Sequence, residues 1–144
     1  MKKQILTVAA ILLLSITAFA QNGMTKFNQL PIKAQEFVKT YFKDYKISYV
    51  LSDKEFANVD YKVCFEDGTE IEFNAKGEWT DVSGKQNCIP TGFILTAITD
   101  YVNTVHQDVC ITDVEKEYNR ITVELSNKLE LEFNSKGKLI SYDD

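Results

Sequence analysis

The chain has 144 residues carrying 16 basic and 21 acidic side chains, for a net charge of −5, and three cysteines. That balance argues against nucleic acid or anionic lipid as partners, since both demand basic patches. The length suits one domain with a substantial core.

The first residues do not belong to that core. Lys2 and Lys3 precede an apolar run from Ile5 to Phe19, and Ala18-Phe19-Ala20 forms a small-x-small cleavage site before Gln21. This is the layout of a secretory signal peptide, residues 1–20. The run falls short of the roughly 18 to 20 residues a spanning helix needs, so no membrane insertion is expected after cleavage. The mature chain would keep 124 residues, with 14 basic against 21 acidic side chains and a net charge of −7. Residues 21–29 are polar and are expected to be a flexible lead-in.

Leu30-Pro31 opens a predicted helix, with proline tolerated in its first turn. Phe37, Val38, Tyr41 and Phe42 make one apolar stripe, opposite Lys33, Glu36, Lys39 and Lys43. A strand is predicted from Ile47 to Leu51, and Ser52 to Asp60 reads as a polar connection. Alternation then sets in, with Tyr61, Val63 and Phe65 facing inward and Ile71 and Phe73 continuing on the next strand. A three-residue loop, Glu66-Asp67-Gly68, pairs Val63 with Ile71 and Tyr61 with Phe73 on the core face. It also sets Lys62 opposite Glu72 on the outer face, a favourable pair.

Glu70-Ile71-Glu72-Phe73-Asn74-Ala75-Lys76-Gly77 recurs as Glu130-Leu131-Glu132-Phe133-Asn134-Ser135-Lys136-Gly137, sixty residues later. A matched period of this length indicates one unit built twice. A loop of Ala75-Lys76-Gly77 puts Phe73 opposite Trp79, and its counterpart puts Phe133 opposite Leu139. The run is therefore a hairpin device with glycine supplying positive φ. It lacks the spaced glycines and terminal Ser or Thr of a nucleotide loop.

Repeat one covers residues 30–83 and a linker covers 84–88. Repeat two, 89–144, restarts at Ile89-Pro90, and Ile94, Ile98, Tyr101, Val102 and Val105 form its helical stripe. Val109 to Val114 is its first strand, and Ile121, Val123 and Leu125 face Leu129, Leu131 and Phe133 in the same register. The expected fold is α+β: one helix plus about four antiparallel strands, twice, giving a continuous curved antiparallel sheet with both helices on one face. Cys88 and Cys110 bracket the second helical segment and can bridge its ends. The alternative is three reduced, buried thiols.

The Leu/Ile-Pro, amphipathic helix, Tyr-x-Val and Glu-x-Glu-Phe-Asn-x-Lys-Gly pattern, written twice, resembles the PepSY-like, β-lactamase-inhibitor-like proteins. Gly77-Glu78-Trp79 adds to the likeness, which covers Leu30 to Asp144. The resemblance implies a secreted, periplasmic bacterial protein with tandem α/β units. Relatives by fold include inhibitors that press the open sheet face and loops onto a hydrolase.

The register predicts an acidic open face carrying Glu70, Glu72, Glu124, Glu130 and Glu132, partly offset by Lys62. Glu124 and Glu130 fall directly opposite each other, which is unfavourable without a cation or basic partner. Such a face is either an electrostatic docking surface or a solvated face whose charges prevent aggregation. Phe56 and Tyr118 occupy equivalent connections of the two repeats, and either one, if exposed, can anchor an interface. No catalytic, cofactor or metal site is expected: His106 is the only histidine, and no nucleophile, base and oxyanion-donor set can be assembled. The expectation is a secreted, non-catalytic module binding another envelope or secreted protein with a basic patch, an inhibitor of a peptidase or other hydrolase being its most specific form. The alternative is a small-molecule or cation-binding periplasmic module.

Overall fold

A computed structural model describes residues 23–55 and 58–143. The expected signal peptide and Phe56 lie outside the described residues. Among the described residues the chain is α+β, with two α-helices, α1 (Ile32–Tyr41) and α2 (Thr96–Val105), and a single antiparallel sheet. Its nine strands run in chain order: β1 (Met24–Thr25), β2 (Ile47–Glu55), β3 (Asn58–Phe65), β4 (Glu70–Phe73), β5 (Trp79–Ser83), β6 (Ile111–Glu117), β7 (Arg120–Leu125), β8 (Glu130–Asn134) and β9 (Leu139–Asp143).

One cross-strand row shows how the sheet faces are assigned. Val50, Val63, Ile71, Val82, Val114, Val123 and Leu131 are successive partners across seven strands, and all are buried. Period-two alternation sends their neighbours to the opposite face. Ala34 and Val38 of α1 and Ile98 and Val102 of α2 join the same core, so both helices cover that face. An aromatic cluster ties the layers together. Phe37 of α1 lies 5.6 Å from Phe73, 6.5 Å from Trp79 and 4.9 Å from Phe93, measured between ring centroids.

The hairpin registers agree with the sequence. Tyr61 pairs with Phe73, Lys62 with Glu72 and Val63 with Ile71; Ile121 pairs with Phe133, Val123 with Leu131 and Glu124 with Glu130. Phe73 and Phe133 meet Trp79 and Leu139 across bulges. The turns rest on two further contacts. The Asn74 side-chain oxygen accepts hydrogen bonds from the Lys76 and Glu78 amides, and Asn134 accepts from Lys136 and Lys138. Gly77 (φ +79°) and Gly137 (φ +81°) also press against the helix starts. A Cβ on Gly77 would lie 2.7 Å from the Pro31 Cβ, and one on Gly137 would lie 2.8 Å from the Ala97 Cβ. Glycine is thus required twice over, for conformation and for clearance.

Several boundaries differ from expectation. Met24–Thr25, placed by sequence in a flexible lead-in, forms a strand against Leu51 and Val50. The supposed polar connection from Ser52 to Asp60 is mostly strand, with Ser52 to Glu55 paired to Tyr61 to Asn58. Backbone ladders need no apolar side chains, so a polar segment extends a hairpin freely. The second helix starts at Thr96 rather than just after Pro90. Leu95, not Pro90, occupies the place Pro31 has in α1: the Ile98 and Thr99 amides donate to its carbonyl, as those of Ala34 and Gln35 donate to Pro31. Ile89 to Leu95 instead form a turn-rich segment that buries Ile89 and Ile94. Cys88 and Cys110 are joined by a disulfide with a Cα–Cα separation of 5.7 Å, and Cys64 is a buried free thiol.

Candidate interaction surfaces

The face away from the helices is polar from β4 to β9. Its middle row runs Leu51, Lys62, Glu72, Asp81, Glu115, Thr122, Glu132, Ser141. A second row runs Tyr49, Cys64, Glu70, Ser83, Asp113, Glu124, Glu130, Asp143. Every carboxylate that the sequence assigned to this face is therefore on it, as is Lys62.

The flanks of the face are partly neutralised. Lys62 Nζ lies 2.9 Å from Glu72 Oε1 and 3.8 Å from Glu70 Oε2, and Lys85 reaches Glu70 at 3.1 Å. Arg120 pairs with Glu132 at 3.1 Å. Lys128 pairs with Glu124 at 3.0 Å and relieves the Glu124–Glu130 opposition. Lys128 stands where the first hairpin has Gly68 and holds φ +73°. Each such solvent-facing pair contributes only about 0–1 kcal/mol, so these pairs shape the charge pattern more than they stabilise the fold.

The centre of the face differs. Asp81 on β5 is flanked directly by Glu72 on β4 and Glu115 on β6. Among the described residues no lysine or arginine comes within ion-pair distance of Asp81, Asp113 or Glu115. Burial, reinforced by the charges of Glu72, Glu115 and Asp113, pushes the Asp81 carboxyl up to about 6. Partial burial, then the neighbouring Glu117, raises Glu115 as well. Asp113 accepts a hydrogen bond from the Ser83 hydroxyl. These three acids escaped the sequence reading because they meet across β5 and β6, strands joined by a helix rather than a turn.

A second surface lies on the helix side. Trp79 and Phe93 form the floor of an open hollow of about 250 Å³, with Leu95 on one wall and Lys116, Tyr118 and Arg120 of the β6–β7 hairpin on the other. Lys116 Nζ sits 4.6 Å from the Trp79 ring centroid. Tyr118 is 99 % exposed and holds φ +40° at the hairpin tip. Sequence reasoning singled out Tyr118 but not the hollow beside it. The sequence pattern places Phe93 to Leu95 within the start of a helix instead.

The description "putative beta-lactamase-inhibitor-like, PepSY-like" matches residues 59–141, more than half of the chain. The chain belongs to the PepSY-like family. None of the curated proteins matches it. Among solved structures it is similar to a "putative calcium-regulated periplasmic protein" of Bacteroides thetaiotaomicron, at 33% identity over 85% of this chain and 96% of that one, with a TM-score of 0.81. It is also similar to two periplasmic proteins of Bacteroides vulgatus. One is 33% identical over 84% and 95% of the two chains with a TM-score of 0.79; the other is 30% identical over 85% and 98% with a TM-score of 0.77. This PepSY-like chain is periplasmic, the location that the descriptions of all three relatives carry. No helix among its described residues is long and apolar enough to cross a membrane.

Proposed function

We propose that this PepSY-like protein is a non-catalytic binding module, made of two copies of a helix-plus-four-strand unit, that docks a basic patch of another exported protein on its open sheet face. The observation that carries this reading is the acidic centre, where Asp81 and Glu115, without an ion-pair partner among the described residues, stand beside Glu72 on adjacent strands. Like charges in direct cross-strand opposition destabilise a sheet. A basic partner converts that cost into attraction and speeds encounter. The inhibitor-like description of the family supports a hydrolase as the partner.

The test is capture of envelope proteins on the immobilised mature chain and on an Asp81→Asn/Asp113→Asn/Glu115→Gln variant. Proteins held by the native chain should elute as salt rises from about 0.05 to about 0.5 M, because exposed charges are then screened. The variant should fail to retain them. Equal retention by both chains would sink the docking reading.

A cation-binding role is the second reading, supported by the calcium-regulated description of the Bacteroides thetaiotaomicron relative. Among the described residues no three metal-ligating side chains converge. Calcium-dependent thermal stabilisation of the native chain, absent in the triple variant, would favour this role over protein docking.

A further inference from the structure

We infer that the hollow floored by Trp79 and Phe93 is a binding site for a small aromatic carboxylate. Three observations carry this, and none depends on the sheet-face proposal, which concerns the opposite side of the molecule.

The first is charge. The chain has 21 acidic side chains against 16 basic ones, yet among the described residues no carboxylate lines the hollow, while Lys116 and Arg120 both do. Arg120 is already engaged with Glu132. Lys116 has no carboxylate within ion-pair distance among the described residues and rests instead over the Trp79 ring. Its position follows from the ladder: Lys116 pairs with Ile121 on the core-facing side of β6, where alternation calls for an apolar residue. A cation in that place is available to an incoming anion.

The second is the floor. Trp79 and Phe93 meet edge-to-face at 5.2 Å, and Phe93 is held in turn by Phe37 at 4.9 Å. The rings are thus braced by the core and present a fixed aromatic surface, with Leu95, 42 % exposed, beside it. An apolar floor with one placed cation selects a ligand having an aromatic body and a single negative group.

The third is size. About 250 Å³ falls below the range of about 300–1,000 Å³ typical of drug-sized ligand sites. One ring and a carboxylate fit that volume, whereas a folded partner needs a broader surface.

Trp79 is the only tryptophan, so its emission reports on this site alone. Phenylacetate titrated into the mature chain should change that emission saturably. Phenylacetamide, its neutral counterpart, should bind about ten-fold more weakly, the scale of one charge-assisted contact. Lys116→Met should lower phenylacetate affinity by a similar factor, whereas exposed Lys26→Met, beside edge strand β1 and separated from β5 by three strands, should leave it unchanged. Removing Lys116 also alters the surroundings of Trp79, so methyl NMR shifts of Ile94 and Leu95 provide a second readout. No saturable response, equal binding of the neutral compound, or undiminished binding by Lys116→Met would overturn the proposal.

Discussion

Replacing Asp81 by asparagine should stabilise the protein at neutral pH and flatten its pH dependence. The folded chain retains the Asp81 proton up to about pH 6, whereas the ordinary value is 3.8. Between those values the folded state binds more protons than the unfolded one, so stability falls as pH rises. The cost is complete above the folded value and absent below 3.8. In a dry site the displacement would be worth about 3 kcal/mol, at about 1.4 kcal/mol per factor of ten. Asp81 is only half-buried, and solvent screening reduces this to about 1 kcal/mol. That corresponds to roughly 3–5 °C in Tm for a domain of this size. Circular dichroism melts of both chains between about pH 4 and about pH 8 measure it. The curves should converge at the acid end and separate towards neutrality, with the asparagine variant higher. Parallel curves, or a variant less stable than the native chain at neutral pH, would refute the cost assigned to burying the Asp81 charge beside Glu72, Glu115 and Asp113.

Four further perturbations have expected outcomes. Converting Cys88 and Cys110 to serine opens a loop closed at a separation of 22 residues, which should lower unfolding stability by about 3 kcal/mol in a denaturant titration. Gly137→Ala places a Cβ 2.8 Å from Ala97 at positive φ and should cost about 2–4 kcal/mol. Gly68→Ala meets no atom within 4 Å and should cost only the conformational part, about 1–2 kcal/mol; equal melting losses would contradict the packing assigned to Gly137. Tyr118→Gly relieves a left-handed tyrosine that is 99 % exposed and should stabilise the fold by about 1 kcal/mol, seen as a higher Tm.

What the sequence disclosed was what neighbouring strands impose on each other. Lys62 opposite Glu72, Glu124 opposite Glu130, and Phe73 opposite Trp79 all follow from short loops whose length and inward residues allow one register. The junction of β5 with β6 was not accessible in this way. No turn links the two strands, and the pairing of Asp81 with Glu115 depends on where α2 returns the chain. The second helix start was misplaced for a related reason. Ile89-Pro90 looks like Leu30-Pro31, but the chain uses it to bury Ile89 and Ile94 and delays the helix until Thr96. Local likeness of a dipeptide gave no information about that detour, or about the hollow that Phe93 and Leu95 help to enclose.

The joint between β5 and β6 has only three residue pairings, Asp81–Glu115, Val82–Val114 and Ser83–Asp113. Backbone bonds from Gly84 to Thr112 and from Ile89 to Ile111, followed by the Cys88–Cys110 bridge, extend it. The line along which the molecule would part into two separately opening units thus has repelling carboxylates at one end and a covalent lock at the other. Acidity closes the first end and oxidation closes the second. Hydrogen exchange should therefore show the two flanking groups of strands opening together in acid and with the disulfide intact. In reduced protein at neutral pH, β2–β5 and β6–β9 should open as independent cooperative units.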